Sequence, residues 1–159
     1  MPPEIPAIRI LPMSHKPPGF INRDIADVQH RLFLKDLPAN GGRFRYPRAG
    51  LNARPGAIVL FQYRAHVIAS AVFIRDERFE HPRRGYAGEL RFDIASIKTF
   101  DPVDAEAMRA AWPAFRAFGH VKQFLNPARY PMFKRRLKRV QAPTHPSPPT
   151  TAPGQRAGS

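Results

Sequence analysis

The chain of 159 residues contains no cysteine. That excludes a disulfide framework, a thiolate zinc site and a cysteine nucleophile. No stretch approaches the ~20 consecutive apolar residues of a membrane-spanning helix. The opening MPPEIPAIRILPMS lacks the basic start and unbroken apolar run of a secretory signal. A cytoplasmic protein with no membrane partner is therefore expected. Acids are scarce, 12 against 26 lysines and arginines, for a formal net charge of +14. They are also unevenly spread: eight of the twelve fall between Asp76 and Glu106, and none lies in Gly41 to Arg75 or in Ala107 to Ser159. Catalytic equipment is thin. The six histidines (His15, His30, His66, His81, His120 and His145) are scattered, with no pair at metal-ligand spacing. Gly41-Gly42 and Gly85 to Gly88 do not have the spacing of a phosphate-binding loop. Glu89 and Asp93 share one strand in a pattern faintly like a nuclease acid cluster, although alternating charges on a strand are normally its wet face. No catalytic residue, metal site or cofactor is assigned.

What is present suffices for one domain that buries its own core. Residues 1–140 form that domain. Residues 141–159 follow as a tail with five prolines, no large apolar side chain and one charge, a composition that cannot order itself. Ala7 to Met13 reads as a first strand. Ile25, Val28, Leu32 and Phe33 recur at helical spacing, which predicts a helix from Asn22, its N-cap, to about Lys35. Arg43-Phe44-Arg45-Tyr46-Pro47-Arg48 alternates cations and rings. It suits an edge strand with buried rings and solvated arginines, or arginines on phosphates beside a stacking aromatic. Pro55-Gly56 opens a hairpin, Ala57 to Tyr63 and His66 to Ile74, whose near-continuous apolar runs predict strands buried on both faces, as in a closed or nearly closed barrel. Its turn lacks the Gly or Asn of a two-residue loop. Asp76 to Arg84 reads as a charged surface loop, and Leu90, Phe92 and Ile94 as the dry face of a half-wet strand. Asp101-Pro102 reads as a helix start, Gly119 to Leu125 as a last strand. Pro131 to Val140 reads as a final helix with Phe133, Leu137 and Val140 inward.

This order of elements resembles the PUA-like superfamily, and within it EVE-type domains. The features that carry the resemblance are Gly56 ahead of Phe61 and Tyr63, the return strand Val67 to Phe73, and Phe92 to Phe100 leading into Pro102-Val103. To these is added Gly19-Phe20-Ile21-Asn22-Arg23, similar to the family's Gly-Val-x-Asn segment. The family's usual tryptophan near the first strand is missing, Trp112 being the only one. The resemblance implies an α+β fold: a PUA-like pseudo-β-barrel of about five to six strands with flanking helices. It also implies a pocket beside the first helix for a flipped-out or modified base. Candidates for that pocket are Phe20, Asn22, Phe61, Gln62, Tyr63 and Gln123, since a base needs aromatic walls and a few amides on its polar edge. Each has a plainer reading: Phe61 and Tyr63 as core, Asn22 as a cap, Gln123 as the partner of a buried carbonyl.

The charge predicts an anionic partner, DNA or RNA. Candidate phosphate contacts are Arg43, Arg45, Arg48 and Arg54 before the hairpin, Arg83 and Arg84 beyond it, and Lys134, Arg135, Arg136, Lys138 and Arg139 on the last helix. A non-catalytic nucleic-acid reader is expected, with or without a nuclease or restriction partner. Two alternatives stand beside it: a small-ligand or protein-binding module whose arginines (20 of the 26 cations) reflect composition alone, and a nuclease-type enzyme.

Overall fold

A computed structural model describes residues 6–13, 24–46, 50–119 and 122–143. Seven strands form one open sheet: β1 (Ile8–Pro12), β2 (Arg43–Tyr46), β3 (Ile58–Tyr63), β4 (His66–Arg83), β5 (Tyr86–Phe92), β6 (Lys98–Val103) and β7 (Gln123–Leu125). Their order is β2-β5-β4-β3-β1-β7, with β6 also on β4. The helices are α1 (Ile25–Val28), continued by a π-wound stretch (Gln29–Asp36) and α2 (Leu37–Ala39), then α3 (Ala105–Ala111) and α4 (Tyr130–Arg136). The fold is thus mixed α+β. No helix among the described residues is long and apolar enough to cross a membrane.

The apolar hairpin organises everything else. Successive β3 side chains point to opposite faces, and each face meets its own core. Val59, Phe61 and Tyr63 join Val28, Phe33, Leu37, Phe73 and Phe92 on one side. Leu60 joins Ile8, Ile10, Phe100, Met108, Trp112 and Phe133 on the other. The two-sided burial that the sequence predicts is therefore met by helices on both faces of a sheet. β1 pairs with β3 in parallel and with β7 antiparallel.

Several boundaries differ from the sequence expectation. The first helix is capped by Asp24, whose side chain accepts from the Asp27 amide at 2.8 Å; Asn22 lies outside the described residues. The π winding aligns Val28, Phe33 and Leu37, all buried, at spacings of five and four residues, a line that a regular α-helix does not give. Residues 76–83 continue strand β4, because β5 pairs along Asp76 to Arg78 and again at Arg83. Charge there reflects a wet face, not a loop. Asp101 and Pro102 lie in β6; the helix begins later, where Asp104 caps the Ala107 amide at 2.9 Å. α4 ends at Arg136, and the chain turns outward to pair with β6: the Asp101 amide donates to Lys138, and Thr99 and Gln141 exchange two hydrogen bonds of 2.8 Å. Val140 is consequently exposed, and Gln141 belongs to the domain. The tail from residue 144 lies outside the described residues.

β6 carries a gap that one side chain fills. Between the pairs Val67↔Val103 and Ala69↔Thr99 the register shifts, so Ile68 faces three residues, one of them a proline with no amide to donate. Gln29 Nε2 donates to both orphaned carbonyls, Ile68 at 2.9 Å and Phe100 at 2.7 Å. Gln29→Leu leaves two inward carbonyls unpaired and is expected to cost about 1–3 kcal/mol in urea unfolding; a change below the experimental error would show that water replaces the amide.

The β3–β4 turn consists of Arg64 and Ala65, both left-handed at φ 49 and 59. That is the geometry of a type I′ turn, which Asn-Gly adopts at lower cost. Arg64→Asn with Ala65→Gly is expected to stabilise the protein by about 0.5–1 kcal/mol, read as a rise of a few degrees in Tm.

Candidate functional site

Most of the sequence-predicted cations fall into two regions, one interleaved with carboxylates and one that, among the described residues, meets a carboxylate at Arg139 alone. The first is the outer face of the β2-β5-β4 ribbon. Register places Arg43 opposite Arg91 and Arg91 opposite Arg75; the next row holds Arg45, Glu89 and Glu77. The second row offsets the first only in part, two carboxylates against four arginines. Glu89, 8% exposed, lies 3.7 Å from Arg43 and 3.9 Å from Arg45. Glu77 lies 2.6 Å from Arg75 and 3.8 Å from Arg91, and these arginines hold its carboxyl below the usual carboxylate range. Arg45 also approaches the Tyr86 ring, and Arg83 covers Phe79 at 4.3 Å. Arg84 is exposed in the left-handed turn that follows. An open depression of about 490 Å³ runs beside this ribbon, lined by Arg75, Arg91, Asp93 and the Gly41 backbone. Asp93 is itself engaged in capping the Ala95 amide, so Glu89 and Asp93 hold separate structural roles. Among the described residues no group of three His, Asp or Glu side chains is placed to hold a metal.

The second region is α4 and its extension. Phe133 anchors the helix against Trp112 (ring centroids 5.0 Å) and Phe100 (6.2 Å). One buried position on a short helix leaves Lys134, Arg135 and Arg136 turned to solvent. The hydrogen bonds to β6 then fix the backbone at Lys138 and Gln141, with Arg139 between them in a left-handed bend at φ 52. Arg139 contacts Asp101 at 3.6 Å. Among the described residues Lys134, Arg135, Arg136 and Lys138 have no carboxylate within ion-pair distance. Arg54 is exposed just ahead of β3; Arg48 lies outside the described residues.

The base-pocket candidates do not converge. Phe61 is fully buried between Phe33 (4.8 Å) and Phe92 (5.2 Å), and Tyr63 is 1% exposed in the same core. Gln62, one residue between them, points to the opposite face because a strand alternates. There its Nε2 donates to the Gly119 carbonyl at 3.0 Å, while Gln123 donates to Ala117 at 3.1 Å. The two amides thus hold one loop against the sheet. Gln62 Oε1 is buried without a partner among the described residues. Phe20 and Asn22 lie outside the described residues.

Sequence reasoning passed over one pair. Arg9, in the middle of buried β1, is 5% exposed and sits opposite Phe124 of edge strand β7. Its guanidinium carbon lies 3.8 Å from the centre of that ring, which is itself 69% exposed. A lone arginine inside the apolar run AIRILPM was the available signal.

Comparison with known proteins finds no matching family model, no similar curated protein and no similar solved structure.

On the ribbon's inner face the Tyr46 hydroxyl donates to Asp76 at 2.6 Å, and the ring crosses Gly88, where any side chain would collide with it. Burial, then the bond to Asp76, pushes the Tyr46 phenol up to about 12. A raised folded-state pKa favours the protonated form, so this contribution to stability is whole below about pH 10 and lost as pH rises through 12. Alkaline titration at 295 nm should show a late phenol that Tyr46→Phe removes; identical titration curves would contradict the raised Tyr46 phenol.

Proposed function

We propose that the protein binds nucleic acid without catalysing a reaction on it, and that α4 and its extension carry the phosphate contacts. One observation carries this reading: Lys134, Arg135, Arg136 and Lys138 are exposed, consecutive in space along a pinned backbone, and free of acidic partners among the described residues. Cations already paired to carboxylates must give up those contacts before meeting a phosphate. Unpaired ones release only counterions. The ribbon arginines, held by Glu89 and Glu77, are therefore the weaker contributors.

The finer form of this reading is a cytoplasmic PUA-like, EVE-type pseudo-barrel that reads a modified or flipped-out base of DNA or RNA, alone or beside a nuclease or restriction partner. It rests on the order of elements and on the segment of Phe20 and Asn22. That segment would have to supply the aromatic wall, because Phe61 and Tyr63 are committed to the core. A small-ligand reading has one observation in its favour, the depression beside Arg75 and Arg91.

The test is fluorescence anisotropy with DNA and RNA oligonucleotides across a salt series. Each phosphate contact contributes about 0.9 to the slope of log K against log salt on B-form DNA, about 0.7 on a single strand. The triple variant Lys134→Ala, Arg135→Ala, Arg136→Ala is expected to flatten the slope by about 2–3. Glu89→Gln, which frees Arg43 and Arg45, should change it by less than one. The reverse ranking would move the interface to the ribbon, and absence of binding at low salt would leave the small-ligand reading.

A further inference from the structure

Phe124 is the most exposed of the large apolar side chains among the described residues, at 69%, and it lies on the short edge strand β7. The ring is backed. Arg9, its register partner on β1, places a guanidinium 3.8 Å from the ring centre on the inner side. Among the described residues this guanidinium is held by backbone carbonyls: one terminal nitrogen donates to Asn52, the other to Lys122 at 3.5 Å, and Nε finds no partner there. No described carboxylate neutralises it. Burial lowers the Arg9 pKa from its ordinary value, as expected for a cation taken out of water without a counter-charge.

Three consequences follow for whatever meets the outer face of Phe124. A cation behind an aromatic ring draws π-density toward itself, so the outward face disfavours a second cation and favours an electron-rich, flat π-system. The uncompensated charge, reinforced by Lys122 just ahead of β7 and by exposed Arg54 two residues beyond Asn52, favours a ligand carrying anions beside that flat group. A ring standing proud of a sheet edge needs a partner whose face is free, which stacked bases inside a duplex do not offer.

We infer that Phe124, backed by Arg9, is a stacking platform for an unpaired base of single-stranded nucleic acid, with Lys122 and Arg54 on the flanking phosphates. This rests on the nucleic-acid reading above and adds to it a strand preference and a base contact.

The experiment compares a single-stranded oligothymidine, an abasic phosphodiester of equal length and the matching duplex. Phe124→Ala is expected to weaken the single strand about tenfold, leaving the abasic chain and the salt slope unchanged. Phe124→Leu, which keeps apolar bulk without the ring, should behave the same way. Phe124→Trp adds an exposed indole to a protein whose own Trp112 is buried and hydrogen-bonded to Asn126. Its emission should be quenched by oligothymidine and not by the abasic chain. The platform is overturned if Phe124→Ala weakens both chains equally or neither, or if the Phe124→Trp emission is unmoved at saturation, the result a protein-docking role would give. If instead the Lys134, Arg135 and Arg136 triple variant leaves the salt slope unaltered on these same oligomers, it is the α4 reading that fails. Absence of any binding at low salt rejects both.

Discussion

The fold depends on burying one strand on both of its faces. β3 has apolar side chains on either side of its plane, each worth about 1.5–3 kcal/mol when fully withdrawn from water, so a single layer cannot satisfy it. The π-wound helix supplies Val28, Phe33 and Leu37 to one face, and α3 and α4 supply Met108, Trp112 and Phe133 to the other. The remaining irregularities serve this sandwich. Gln29 ties the first layer to the β4–β6 gap, Gln62 and Gln123 tie the loop after α3 to the sheet, and Trp112 Nε1 bonds the Asn126 carbonyl beside α4. Each supplies a backbone carbonyl with a side-chain donor.

Charge is arranged by the same geometry. Register brings Glu77 of β4 and Glu89 of β5 beside Arg43, Arg45, Arg75 and Arg91, so two carboxylates partly offset four arginines on the ribbon face. The chain after Ala107 has no acid to contribute. Among the described residues, Arg139 beside Asp101 is the one cation of this stretch within ion-pair distance of a carboxylate, and α4, with Phe133 as its buried anchor, exposes a run of the others. The ribbon thus carries cations partly offset by acids, and α4 carries cations that are available to an anion.

Much of the architecture was legible from local pattern. The hairpin, the first strand, the edge strand with Phe44 and Tyr46 inward, and a basic last helix all follow from periodicity. What pattern reading missed depends on partners distant in sequence. Residues 76–83 looked like a loop because their charges do not alternate with apolar residues; they are a strand because β5 lies alongside. Asp101-Pro102 looked like a helix start because that dipeptide often is one, yet β4 and Lys138 supply strand partners first. Phe61, Gln62 and Tyr63 read as one pocket wall, but strand alternation sends the amide and the rings to opposite faces.

The sequence alone determined that the chain has a thiol-free, β-rich core around one apolar hairpin, and a strong positive charge segregated from its acids, because composition and hydrophobic period are properties of the chain itself. Tertiary structure decided which cations are neutralised, that a π winding replaces a regular helix, and that Arg9 lies beneath Phe124. Those outcomes depend on strand register, and register is fixed only when both faces of the sheet find their cores.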